Sequence, residues 1–569
     1  MNHKRILIVA ITRMGDLLQA SPTIVGLKRE YPDSKITILV DIQFASICKG
    51  IPGIDEVYVI DMNFLARGIS TGEDQLVEVF HYVSKMIDDL RANNFDYCLN
   101  MSNSAYTALL IKMLNITKCK GWLADDEGFR LMSDPWAMLF SAFVYHSNRD
   151  FNELNLVDIF RSAAEVTSHP RRLSYTISQS ADDKVSTLLP ESFLSGDRPL
   201  IGIQVGASQE KRQWSPKRFA ILTKYLIEDL DANIFYTGAP SESPLVDLVQ
   251  SHFTSDKAVS LVGKTSIEEL GAVLKRANVL VTGDTGPMHL SVAVGTPVVA
   301  LFLASALCFE TGPYGPNNFV VQPQISCNPC NPNFPCARPD CHDYISPELM
   351  AYLTKLRIQT PFEHDPYIQI PYDIAPPGQV RVYRSDFDED GYLQFVGING
   401  LSSNNGYELG YLETARAAYR VLWKEEFASI PSGKEIESWS GVLLLNEETE
   451  DILNLCEDAN KVLKRLIELA EDPNGPAQEL QVISDSLTRI DLLLEQISLT
   501  FPILGAIVRI FIMEKENLRG DDIFILSEKS LQIYASLERR IINFQKYYSY
   551  FSRQFMTKEL ETDVTSISR

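Results

Sequence analysis

The stretch VTGDTGPMHLSVAVGTPVVALF, residues 281–302, decides how this chain folds and what it can hold. It reads as strand, sharp turn, short helix, turn, strand. Gly283 and Gly286 let the backbone turn tightly and come close to a ligand. Pro287 suits a first helical turn, where its missing N–H costs nothing. Such a turn aims free N–H groups and the positive end of a helix dipole out of the sheet, an anion site of phosphate or diphosphate size. Thr285 and His289 add side-chain donors and Asp284 an acceptor. The same residues also fit a plain strand–helix turn, with Asp284 as N-cap and His289 as a satisfied helix residue.

Outward from this stretch the strand–helix rhythm continues. After Pro199, strands are expected at 200–205, 233–237, 279–282 and 297–303. Helices are expected at 216–230 and 266–276, the latter opened by a capping box of Ser266 and Glu269. The earlier part of the chain repeats the rhythm, with strands at 5–11, 35–40, 56–60 and 95–100 and a helix at 16–31. Two such units in succession predict an α/β chain with two Rossmann-like domains facing a cleft, ligands lying at the carboxyl ends of the strands. Past the linker PYDIAPPG (371–378) a hairpin is expected at 380–398, and then a mainly α-helical C-terminal region with apolar stripes at 451–470, 477–499 and 527–551. The expected segments are 1–175, 176–370, 371–407 (linker and hairpin) and 408–569 (helical extension). DFDEDGYLQFVG (386–397) begins like a calcium-binding loop, but its twelfth position is Gly397 rather than Glu, so a hairpin turn is expected.

The chain has 569 residues, too many for one core, with 45% hydrophobic and 22% charged residues. A formal charge of −22 argues against nucleic acid as a partner and against a broad electrostatic hold on anionic lipid. No run reaches the roughly 18 apolar residues that a membrane span needs. The start, MNHKRILIVAITRMGD, lacks a small-residue cleavage site and reads as a first strand, so a cytoplasmic protein is expected.

Two further pieces belong to the same cleft. VGASQEKRQWSPKRF (205–219) follows the first strand of the second unit, and its Lys211 and Arg212 carry charge that would neutralise a leaving diphosphate; solvated loop residues are the plain alternative. Trp214 is expected to pack against the helix start. ITRMGDLLQASP (11–22) places Asp16 at a helix start, as a cap or as a general base across the cleft.

The three pieces together resemble glycosyltransferase family 9, the bacterial heptosyltransferases of lipopolysaccharide assembly, over roughly residues 4–358. The resemblance implies the GT-B fold, a nucleoside-diphosphate sugar donor of the ADP-heptose kind, and inverting transfer with no catalytic cofactor or metal. It implies Asp16 as the base and Asp284, Thr285, Gly286 and His289 as donor contacts, with Glu242 near the nucleoside ribose. The family usually has Lys two residues before the Trp of the second motif. Here Arg212 stands there, after Lys211, which leaves open the residue that holds the phosphate, since Arg binds as a planar fork and Lys as a point charge.

Four of the nine cysteines crowd into CNPCNPNFPCARPDCHD, at Cys327, Cys330, Cys336 and Cys341. Thiols at that density in a reducing compartment suit a structural zinc or iron ion; reduced structural thiols and a redox-sensitive pair are the alternatives. Three functions are compatible with the sequence. One is transfer of a sugar to a lipopolysaccharide-core acceptor, with peripheral association at the cytoplasmic face of the inner membrane. Another is transfer to a protein acceptor, and the third is nucleotide-sugar binding without catalysis. The helical extension is expected to serve an oligomer or a partner.

Overall fold

A computed structural model describes residues 5–71, 73–132, 134–144, 146–168, 171–359, 370–376, 378–399, 406–471 and 477–567. The chain divides into two compact units, one of Met1–Ala124 with Leu154–Asn405 and one of Asp125–Glu153 with Gly406–Arg569.

The first unit holds two sheets. Strands β1 (Arg5–Val9), β2 (Lys35–Asp41), β3 (Glu56–Ile60), β4 (Tyr97–Asn100) and β5 (Lys118–Gly121) are all parallel, in the order β3-β2-β1-β4-β5. Central β1 and β2 are buried at every position but their first, as a parallel strand covered on both faces requires. The second sheet comprises β6 (Leu200–Gln204), β7 (Asn233–Thr237), β8 (Ala258–Ser260), β9 (Val279–Gly283), β10 (Val298–Leu301), β11 (Phe319–Pro323), β12 (Val380–Phe387) and β13 (Leu393–Gly397). Its order is β8-β7-β6-β9-β10-β11-β12-β13, parallel up to β11 and antiparallel for the last two. Strand order reverses between β1 and β4 and between β6 and β9, the switch points where open α/β sheets bind ligands. The expected hairpin forms, with Asp388 Oδ1 accepting from the Asp390 and Tyr392 amides, and it continues the second sheet.

Helix Met14–Glu30 follows β1 and contains Pro22. Proline removes the bond to the carbonyl four residues back. The Ser21 hydroxyl donates to that carbonyl, Leu18 O, at 2.6 Å, so the helix runs on. Helix Ile267–Leu274 has the expected capping box of Ser266 and Glu269.

The second unit is helical and not contiguous in sequence. Helices Gly406–Ala428, Asn446–Glu471, Ala477–Thr500, Gly505–Glu516 and Ile523–Ile567 pack with the short apolar helix Pro135–Val144. Trp136 meets Phe427 edge-on at 5.9 Å and Phe143 meets Tyr419 at 5.4 Å. Tyr419, Trp423 and Phe427 stack along one helix face. Arg540, 3% exposed, lies among them and donates to both oxygens of Glu514 and to Glu426. Among the described residues no single helix is long and apolar enough to cross a membrane. The bent pair Gln478–Thr500 and Pro502–Glu516 meets that test only together.

Helix Pro135–Val144 has its aromatic partners more than 250 residues away in sequence (Trp136 with Phe427, Phe143 with Tyr419). A chain ended at residue 405 is expected to expose Trp136, Leu139 and Phe143, each worth roughly 1.5–3 kcal/mol of burial. Dye binding and light scattering should then rise sharply against the full chain; a soluble, dye-silent product would contradict this packing.

Candidate functional site

The site forms where two helix N-termini abut. Helix Met14–Glu30 starts from the end of β1, and helix Gly286–Ala293 starts from the end of β9. A Cβ on Gly15 would stand 3.0 Å from His289 Cδ2, and a Cβ on Gly286 would stand 2.8 Å from Met14 Sδ. Glycine at both positions is what lets the two lobes touch here.

Asp16 lies in the first turn of its helix, where its carboxylate accepts from the Arg13 amide at 3.3 Å. It therefore makes the cap-like bond and also faces the second lobe. Loss of solvation in the lobe junction, with the negative charge of Asp284 adding to it, pushes its pKa up from 3.8 to about 6, against the Arg13 hydrogen bond and charge.

Across the junction Thr285, not Asp284, occupies the N-cap position of helix Gly286–Ala293, and it makes no side-chain cap bond. Its hydroxyl pairs instead with Thr282 at 3.0 Å. Asp284 is held by Arg212 Nη1 at 3.1 Å and by the Thr311 hydroxyl at 3.2 Å. Arg212 also donates from Nε to Ser305 at 3.0 Å. His289 is 2% exposed, and burial pushes its pKa down to about 4, so the ring is neutral at physiological pH. Its Nδ1 is buried without a hydrogen-bond partner.

The structure thus brings Asp16, Arg212, Asp284, Thr285, Gly286 and His289 together. Lys211 points elsewhere: its ammonium donates to the carbonyls of Asn331, Pro332 and Phe334, pinning the cysteine-rich loop. Glu242 forms a separate group at the ends of β6 and β7, accepting from the Ala239 amide at 2.7 Å and from Gln204 at 3.1 Å. It packs so closely on Gly206 that any Cβ there would overlap it. Trp214 is buried against Phe219, edge-on at 5.1 Å. Gln204, Ser305 and Thr311 were missed by sequence reasoning. Gln204 stands at a strand's carboxyl end, a position that could have flagged it; Ser305 and Thr311 gave no local signal.

The four clustered cysteines are free thiols, Cys341 buried and Cys327 and Cys336 exposed. Burial pushes the Cys330 and Cys341 thiols up. Among the described residues no group of three or more His, Cys, Asp or Glu side chains is arranged to hold a metal ion. The zinc or iron ion expected from their spacing is therefore unsupported. The loop is anchored instead by Lys211 and by His342, whose Nε2 contacts Lys211 O at 2.9 Å.

Two Rossmann-like lobes meet at their switch points, with a carboxylate facing a helix terminus and an arginine, in the GT-B arrangement. Residues 83–335 match the model of glycosyltransferase family 9 (heptosyltransferase). The chain is therefore similar to that family over part of its two-lobed unit. Its relatives include lipopolysaccharide heptosyltransferase 3 of Escherichia coli, 26% identical over 51% of this chain and 81% of that protein. Lipopolysaccharide heptosyltransferase 1 of Campylobacter coli is 23% identical over 53% of this chain and 84% of that protein. Among solved structures, E. coli ADP-heptose lipopolysaccharide heptosyltransferase II aligns at a TM-score of 0.46 and 17% identity, over 62% of this chain and 98% of that one.

A carboxyl group whose folded pKa exceeds its unfolded one stabilises the fold below the unfolded value, and that stability is lost as pH rises through the folded value. For Asp16, moved from 3.8 to about 6, the loss by pH 7.5 is about 3 kcal/mol at most. Asp16→Asn is expected to raise Tm by about 3 °C at pH 7.5, with no gain near pH 4. A lowered or unchanged Tm at pH 7.5 would show that Asp16 is not enclosed as described.

Proposed function

We propose that this protein transfers a sugar, of the heptose kind, from a nucleoside diphosphate to a hydroxyl of a lipopolysaccharide-core acceptor, with inversion. The observation that carries the reading is the meeting of Asp16 with the Arg212–Asp284 pair and the N-terminus of helix Gly286–Ala293. Asp16 takes the proton of the acceptor hydroxyl as that oxygen attacks the anomeric carbon. With its pKa near 6 it is mostly ionised at neutral pH and still basic enough to accept a proton.

The leaving nucleoside diphosphate gains negative charge as the sugar–oxygen bond breaks. The helix terminus, the Thr285 hydroxyl and the Arg212 guanidinium lie where that charge is stabilised. Arg212, rather than Lys211, is the phosphate-side cation in this reading, because Lys211 is occupied by three carbonyls. Asp284 orients Arg212, the neutral His289 offers its Nδ1, and Glu242 with Gln204 suits the nucleoside end. Relatives named as lipopolysaccharide heptosyltransferases support the sugar and the acceptor class. A polypeptide hydroxyl is the second acceptor class, favoured by the Gly406–Arg569 part of the helical second unit, which lies outside the matched residues 83–335.

Thermal stabilisation by ADP, UDP, GDP and CDP, without divalent metal, separates the donors. ADP alone is expected to raise Tm; stabilisation by another diphosphate would replace the donor, and none by any would point to a different site. With an ADP-linked heptose and a heptose-deficient lipopolysaccharide core, Asp16→Asn is expected to lower kcat at least about 100-fold while leaving ADP stabilisation intact. Transfer that survives in Asp16→Asn would remove the base assignment.

A further inference from the structure

Helix Leu156–Ala163 carries two buried charges that no step above uses. Asp158 and Arg161 are each 1% exposed. Three residues apart, they lie on neighbouring turns of the helix yet bind different lobes. Arg161 reaches the first lobe, donating from Nη1 to Pro22 O at 3.1 Å and from Nη2 to Ser168 O at 2.7 Å. Pro22 sits on the helix whose first turn holds Asp16. Asp158 reaches the second lobe. Its Oδ1 accepts from the Tyr314 hydroxyl at 2.7 Å and its Oδ2 from the Leu393 amide, at the start of β13, at 2.9 Å.

The β12–β13 hairpin is tied to the same side of the first lobe by three more contacts. Ser162 Oγ and the Tyr392 hydroxyl lie 3.3 Å apart. Arg171 donates from Nη1 to Gly391 O at 3.0 Å, and its guanidinium lies 4.8 Å over the Tyr392 ring. A buried carboxylate is retained only where it is fully bonded, and this one has a partner on each oxygen. An apolar side chain would fill the space but fix no geometry.

We propose that Asp158 is a positioning residue: it bridges the second sheet's added hairpin to the helix that braces Met14–Glu30, and so holds Asp16 against the second lobe. Pro22 and Asp16 are six residues apart, roughly 9 Å along a rigid helix, so restraint at one end is carried to the other. Its catalytic meaning rests on the base role proposed for Asp16. The enclosure of Asp16 does not, and that is what the test reads.

Asp16 is faced by Asp284, itself paired with Arg212, by Arg13 on its own helix, and by neutral His289 beside Gly15. Loosening the strut lets water and distance separate Asp16 from Asp284. The Tm gain from Asp16→Asn at pH 7.5 should then shrink. In the full-length chain the gain of about 3 °C is expected to fall below about 1 °C in an Asp158→Ala background. It is expected to persist with Asp158→Asn, whose amide still bonds both partners. A purely structural Asp158 would lower Tm in both members of the pair and leave the gain unchanged, which would overturn the proposal. So would the absence of any gain in the native background. If Asp158→Ala does not fold, Arg171→Gln replaces it, with the gain expected to fall by about half; an unchanged gain again overturns the proposal. Transfer surviving in Asp16→Asn would remove the base role and leave this cycle intact.

Discussion

Everything at the site depends on the close approach of two helix N-termini at Gly15 and Gly286. Side chains there would hold the helices apart, because a single Cβ already reaches His289 or Met14. With glycine, two positive dipole ends converge on one point. Like ends repel, so the point where they meet attracts anionic charge. Asp16 and Asp284 supply that charge from the protein, and a diphosphate would supply more.

The opposing influences on Asp16 show which effect wins. The Arg13 amide and charge favour the carboxylate, while loss of water and the charge of Asp284 oppose it, and the net displacement is upward. The enclosed carboxylate costs the fold stability, as expected where function rather than folding sets the local chemistry. Arg212 limits the cost by neutralising Asp284.

Much of this was legible in the sequence because the signals are local. Buried-strand runs such as RILIV and a capping box such as Ser266–Glu269 announce themselves within a few residues. The glycine turn at 283–286 forms at the strand–helix junction expected, for the same reason. What the sequence could not convey is pairing at a distance. Lys211 and Arg212 are adjacent cations, yet one binds loop carbonyls and the other a carboxylate. Asp284 looked like an N-cap, but the next residue takes that position. The cysteine spacing suggested a ligand set that no group among the described residues supports. The hairpin at 380–397 was readable, but its addition to the second sheet was not, because the partner strand β11 gave no clear pattern.

The split composition of the helical unit has a consequence for how the chain is made. Met132 and Asn517 exchange two hydrogen bonds across 385 residues of sequence. At ribosomal speeds of about 5–20 residues per second, the apolar segment 125–153 waits on the order of 20–80 s for its partners. The first lobe can pair β1 to β5 meanwhile, but Trp136 and Phe143 cannot meet Phe427 and Tyr419 until helix Gly406–Ala428 emerges. Synthesis of this protein therefore passes through a stage with a loaded hydrophobic tether, and that stage is where a holdase chaperone would act.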